Sequence, residues 1–445
     1  MKPNPQATIS LIMLAAAVLS ARAGMRLVEL PTLPGAGSDA AVVATDVNNR
    51  GQITGYAVAY TLHPYPPETH AFVYDPGVGQ MTDLGTFVRP DGEGTMASFG
   101  KAINDEGLVV GDATVEMQSP QHAVPAHAFR CPATGGPLVD LGTLGGSRST
   151  ACGLNNSNVI VGESATTNWA RAFWWSESEG MVALPHLPNW KASAANAIND
   201  FGVIAGGGVR TNEETCRAAI WRNGQPLELG SLGGDVGAAL AINNAGMVVG
   251  YSWLLPGSAG GCHGFAWTEA TGMVDLVPPP DCDYSFAYGL NDRGVIVGVI
   301  AGPERPGNRA ACWVNGHWFD LQNRYLIGWS NTLAHGINNA GWIAGCGQNP
   351  EGNVRAWLLI PEPPAAGGPV ITQALMTAEG FVMRGTNGRP LAEYEVLFST
   401  DVASPLSAWS SLATNLFDPE GTFACTNALP DSPAQGYFRL RTVGP

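Results

Sequence analysis

Seven basic side chains recur along this chain at one place in a repeated phrase: His70, His127, Arg171, Arg217, His263, Arg309 and Arg355. Four acids follow members of that row: Asp83, Asp140, Asp275 and Asp320. Histidine within reach of a carboxylate is the raw material of general acid–base chemistry. A reaction needs one such pair, however, and a sevenfold row supplies too many. The expectation is that each basic group hydrogen-bonds a carbonyl or the neighbouring repeat, and that the acids pair with it across strands.

Other reactive patterns are absent. There is no Gly-x-Ser-x-Gly elbow, no His-Glu-x-x-His and no Gly-Lys-Ser/Thr phosphate loop. The turns at Ser176-Glu177-Ser178-Glu179-Gly180 and Thr268-Glu269-Ala270-Thr271-Gly272 lack the Asp of the sialidase turn motif. Carboxylate pairs for glycoside hydrolysis are a spatial matter and stay open. Asp281 and Asp283 are two acids in one loop, too few to name a Ca²⁺ site. No Cys-x-x-Cys occurs, so no structural zinc is expected. No catalytic set, metal or cofactor is therefore assigned.

The elements that carry these residues come from a second repeated feature. An Asn recurs at Asn48, Asn104, Asn155, Asn199, Asn243, Asn291 and Asn338, 44 to 56 residues apart. Three residues after each stands Gly51, Gly107, Asn158, Gly202, Gly246, Gly294 or Gly341. Asn opening a turn and Gly closing it reads as a type I turn, with Asn158 the next-best residue for the left-handed region. The turn joins two strands. The basic row opens a third strand, and a fourth centres on Leu84, Leu141, Leu184, Leu229, Leu276 or Leu321. Four short strands per repeat make one antiparallel sheet, which must stack on its neighbours.

The strands do not come out even. The seventh repeat stops at Trp357-Leu358-Leu359-Ile360 without a fourth strand, while a spare one, Leu27-Val28-Glu29-Leu30, precedes the first Asn. The expected fold is all-β: a seven-bladed β-propeller closed by that N-terminal strand, which removes the sheet edges.

The phrases His127-Ala128-Phe129, Asp140-Leu141-Gly142-Thr143-Leu144-Gly145-Gly146 and Asn243 through Gly250 resemble the His-Ala-Phe (HAF) extracellular-repeat family of secreted bacterial proteins. The resemblance covers about residues 25–360. It implies an extracellular location and a propeller-like array, and no defined activity. The chain departs from the pattern at Arg217-Ala218-Ala219, Arg309-Ala310-Ala311 and Arg355-Ala356-Trp357. The first position therefore needs a polar anchor and not an imidazole as such.

The ends fit that setting. Residues 1–23 read as a signal peptide, with Lys2, an apolar core over 9–19 and Ala21-Arg22-Ala23 at the cleavage site. No later run is apolar enough for a membrane span. Residues 24–360 form the repeat domain, 361–369 a Pro/Gly/Ala linker, and 370–445 a second unit read as a small β-sandwich. A net charge of −15 makes nucleic acid and anionic membrane poor partners. Eight cysteines in an exported chain point to some disulfides. Cys262 and Cys282 are the preferred pair, at the same end of neighbouring strands.

The loops from strand two to three, and from strand four to the next repeat, vary in length and share one face. Function lives on such loops. Tyr65, Trp190, Trp253, Tyr284, Tyr325 and Trp329 are the candidate ligand-binding residues there. Aromatics on an acidic face suit sugar stacking. The favoured expectation is a non-enzymatic protein that binds an extracellular glycan or surface protein. A polysaccharide hydrolase or lyase with carboxylates at the axis, and a structural envelope or matrix component, are the alternatives.

Overall fold

The computed structural model describes residues 24–60, 68–88, 97–115, 125–211, 215–255, 261–363, 368–377, 380–401, 404–427 and 437–443. The proposed signal peptide and Tyr65 lie outside them. Leu27–Leu359 form one compact unit, and Ile360–Pro445 belong to another.

The first unit is all-β. Val42–Val47, Ile53–Tyr60, Glu68–Asp75 and Gln80–Asp83 make one four-stranded antiparallel sheet in chain order. The repeats opening at Ser98–Ile103, Ser149–Leu154 and Trp190–Ile198 do the same. Those opening at Gly237–Ile242 and Tyr284–Leu290 are joined into one sheet by a single parallel pair, Cys262 and Tyr284. The last sheet takes Ser330–Ile337, Ile343–Gln348 and Val354–Pro361 from the seventh repeat and Met25–Glu29 from the N-terminus. The Leu30 amide donates to the Ala356 carbonyl at 3.0 Å, so the spare strand completes the incomplete repeat. The whole is a β-propeller-type array.

The local geometry follows from residue type. Each turn Gly has positive φ, from 77° at Gly202 to 82° at Gly51, and Asn158 substitutes at 59°. The fourth strands end where the repeated Leu buries: the Leu84, Leu141, Leu184 and Leu229 amides bond back to the third strand, and all four side chains are buried. The sixth repeat differs. After His317–Asp320 the chain turns into a short helix, Leu321–Tyr325, capped by the Asp320 carboxylate on the Asn323 amide at 2.9 Å.

Apolar cores lie between successive sheets. Val161, Ala172, Trp190, Ala219 and Trp221 fill one of them. Hydroxyls stitch the same seams. Ser98, Ser149, Ser193, Ser285 and Thr332 accept the amides of Ala71, Ala128, Ala172, Gly264 and Ala310 of the preceding repeat, at 2.8 to 3.0 Å. The residue whose amide reaches the hydroxyl is Ala or Gly at all five seams.

The second unit has two three-stranded sheets. Val370–Thr377, Gly380–Thr386 and Phe423–Asn427 form one, and Ser410–Leu416, Glu393–Ser399 and Tyr437–Thr442 the other. Phe381, Tyr394, Phe417 and Phe423 build their shared core, with Phe381 stacked on Phe438 at 3.7 Å between centroids.

Candidate functional site

The turns gather around one axis. Each buried Asn uses its Oδ1 to accept an amide within its own turn, such as that of Met247 on Asn243 at 2.9 Å. Its Nδ2 donates to the carbonyl of the next Asn. The series closes, because Asn338 Nδ2 donates to the Asn48 carbonyl at 2.9 Å. The asparagines are therefore turn residues and inter-repeat ties together.

A second ring sits outside the first. Asn49, Asp105, Asn156, Asp200, Asn244, Asp292 and Asn339 each accept the backbone amide of the preceding repeat at 2.7 to 3.0 Å. Asn and Asp alternate except where Asn339 meets Asn49, so all three carboxylates also receive Asn amide nitrogens, as Asp200 Oδ2 does from Asn244 at 3.0 Å. This rim surrounds one mouth of the axis. Val47, Ile103, Leu154, Ile198, Ile242, Leu290 and Ile337 form an apolar collar below it.

Past the collar the repeat symmetry breaks. Each innermost strand has a β-bulge, and the unpaired residue is Thr45, Lys101, Cys152, Asn196, Leu240, Tyr288 or His335. Bulges re-aim side chains and are frequent beside active sites. Here all seven line a single axial cavity of about 240 Å³. The second strand explains how the bulge is held. A Cβ on Gly55, Gly111, Gly162, Gly206, Gly250, Gly298 or Gly345 would overlap a carbonyl oxygen of the innermost strand. Glycine recurs there because backbone passes against backbone.

The cavity has unlike walls. On one side Lys101 Nζ lies 3.2 Å from Asp112. Burial works against the Lys101 charge, but Cys152, Asp112 and Glu163 outweigh it and hold its pKa above the usual value. Burial pushes the Cys152 thiol up to about 11, so it is not a thiolate at neutral pH. Elsewhere Tyr288 and His335 line it, their rings 5.7 Å apart. Behind Tyr288 its ring stacks on Phe286 at 6.2 Å, and Phe286 meets Tyr251 at 5.3 Å. His335 donates Nδ1–H to the Ala44 carbonyl at 2.7 Å, and burial lowers its pKa, leaving a neutral ring. Asp46 also lines the cavity. Burial raises its pKa to about 6, against the pull of the Ile103 and Val47 amides that its two oxygens accept.

The sequence-based candidates fare unevenly. Trp253 and Tyr284 do come together, edge to face at 6.4 Å, and Tyr284 is 37% exposed. Trp190 is only 3% exposed. It packs edge-on against Trp221 and donates Nε1–H to Glu228 at 3.1 Å. Trp329 is likewise buried, at 6% exposure. Tyr325 sits on the short helix, half-buried, where a loop was expected. Trp169 was missed: it is 54% exposed at the tip of a strand-two-to-three hairpin, with Lys191 Nζ 5.1 Å above its ring. Its loop position was the available signal.

The expected Cys262–Cys282 disulfide is not seen. Cys262 and Cys282 are both free and buried. Cys282 lies past the end of the fourth strand Gly272–Leu276, and its Sγ takes the Arg309 Nη2 donor at 2.9 Å. The basic row behaves as an anchor. His70, His127 and His263 bond Asp83, Asp140 and Asp275 through Nδ1 at 2.8 to 2.9 Å, and Arg309 meets Asp320 at 2.6 Å. Burial alone would raise the Asp83 pKa, but His70 and the Gly85 amide outweigh it and hold the carboxyl below the usual value. Arg171 and Arg217 donate to the Leu184 and Gly234 carbonyls, and Arg355 to those of Ala40 and Ser38. Among the described residues no His/Cys/Asp/Glu group has a metal-holding arrangement, and no helix is long and apolar enough to cross a membrane.

No family model and no curated protein matches the chain. Among solved structures it is similar to the β-propeller domain of the Trilobed protease from Pyrococcus furiosus, at 11% identity and TM-score 0.43, over 72% of this chain and 94% of that one. It is also similar to TolB from Acinetobacter baumannii, at 11% and 0.38 over 69% and 79%. An acylaminoacyl peptidase from Pyrococcus horikoshii matches at 8% and 0.45, over 77% of this chain and 57% of that one. Likeness at this level says nothing of activity.

Proposed function

We propose that the protein is a secreted, non-enzymatic β-propeller of seven blades with a β-sandwich tail, and that it binds an extracellular glycan or surface protein through its variable loops. Membership of the HAF extracellular-repeat family and a cleaved signal peptide belong to the same proposal. The observation that carries it is the Trp253–Tyr284 pair, two aromatic rings from consecutive repeats meeting on the loop face with Tyr284 open to solvent. The groups that could act as nucleophiles support binding over catalysis. Cys152 is held as a thiol and Lys101 as an ammonium.

Asp46 favours the second reading, a hydrolase or lyase, because its raised pKa would suit a general acid. Both its oxygens already accept backbone amides, however, which leaves its proton poorly placed for a substrate. The test is a glycan array and a binding assay on intact bacterial cells, with wild type and Trp253→Ala/Tyr284→Ala. The double variant should lose binding by about tenfold or more, with an unchanged melting temperature. Equal binding by both proteins, or none by wild type, would overturn the reading. Release of reducing ends from a polysaccharide, lost in Asp46→Asn, would put the hydrolase in its place.

A further inference from the structure

The repeated positions of this chain repeat because the backbone demands it. Asn makes the turn, Gly admits the bulge, and an aliphatic residue forms the collar. The bulged position is where that rule fails most fully. Its seven occupants, Thr45, Lys101, Cys152, Asn196, Leu240, Tyr288 and His335, are seven different residue types. A position with a common structural task would hold a common residue, as its neighbours do. Seven unlike side chains turned into one cavity make a surface with an orientation, which is what a ligand requires.

The surface has a definite chemistry. Tyr288, stacked with Phe286 and flanked by His335, presents aromatic surface to one side. Lys101, held 3.2 Å from Asp112, adds an ammonium donor to the lining. Asn196 spends Nδ2 on the Ala239 carbonyl at 2.7 Å and keeps an amide oxygen. A neutral His335 that donates through Nδ1 keeps Nε2 as an acceptor. An aromatic ring in one cavity with both donors and acceptors fits a pyranose ring, whose C–H face stacks on aromatics and whose neighbouring hydroxyls both give and take hydrogen bonds. A bare cation would have to share the space with the Lys101 ammonium.

We propose that the axial cavity lined by Tyr288, His335, Lys101 and Asn196 is a binding site for one neutral sugar ring. It is separate from the Trp253–Tyr284 pair and stands whether or not the loop face binds a partner.

Saturation-transfer NMR on the full chain tests it, using the methyl glycosides of glucose, galactose and N-acetylglucosamine, with choline as a cationic control. At least one glycoside should give a saturable signal. Leu240→Trp fills the cavity without removing a polar bond, and should weaken that glycoside by about tenfold or more, or roughly 1.4 kcal/mol. Tyr288→Leu, which keeps apolar bulk and loses the ring, should do the same and decides the matter if Leu240→Trp does not fold. Trp253→Ala/Tyr284→Ala should leave the signal unchanged. The proposal fails if no glycoside binds at its solubility limit, if the cavity variants bind as wild type does, or if choline alone binds.

Discussion

Asp46 shows how a single side chain can be costly and still be kept. Its two oxygens take the Val47 and Ile103 amides, tying the first repeat to the second, yet burial raises its pKa from 3.8 to about 6. The sign follows from linkage. Between these values the folded chain holds a proton that the unfolded chain has released, so stability falls as pH rises from about 4 to about 6. Above that range both states are ionised and only the folded one bears the desolvation, at most about 3 kcal/mol. Asp46→Asn should flatten this part of the profile. Urea unfolding of both proteins at pH 4 and pH 7 reads it directly, and an unchanged pH slope in the variant would refute the assignment. Residues of this kind were the least legible in the sequence. The asparagine turns could be read because Asn and Gly recur at fixed spacing, and the Asp pairing with the basic row could be read from its place one strand away. Asp46 and the bulged residues carry no such mark, because a bulge is set by tertiary contact and its occupant does not repeat.

At the scale of the element, the second-strand glycines govern the site without touching it. A Cβ at Gly250 would overlap the Ala238 carbonyl oxygen and crowd the Ala239 backbone. Gly250→Ala should therefore cost about 3 kcal/mol or more, as expected when backbone must move. Gly272 is a fair control. Its φ of +66° disfavours a side chain but nothing lies within 4 Å of the added atom, so Gly272→Ala should cost about 1 kcal/mol. Urea unfolding separates them, and equal costs would mean the bulge is not held as described. The loops show the converse. Their aromatics were read from position alone, and position cannot tell a ring that faces solvent from one that packs inward. Trp190 found Trp221 and Glu228 beneath its loop, while Tyr284 stayed open because its neighbour Trp253 meets it edge-on at the surface.

For the molecule as a whole, the arrangement depends on the last repeat meeting the first. If it does, the loops share a face, the bulged residues share a cavity, and the asparagine bonds form an unbroken circle. The strand deficit at Ile360 and the surplus at Leu27 made this legible, since an open row would have no use for either. Two amides report on the closure. Leu30 N–H donates to the Ala356 carbonyl at 3.0 Å, and Asn339 N–H donates to Asn49 Oδ1 at 2.8 Å. Asn244 N–H makes the equivalent bond to Asp292 Oδ1 at 2.8 Å inside the array and serves as the reference. Residue-resolved amide hydrogen exchange on the folded protein is the most direct measurement. A closed ring predicts that Asn339 exchanges as slowly as Asn244 and that Leu30 is protected with the strands it joins. Fast exchange at Leu30 and Asn339, with Asn244 still protected, would show an open array and contradict the account.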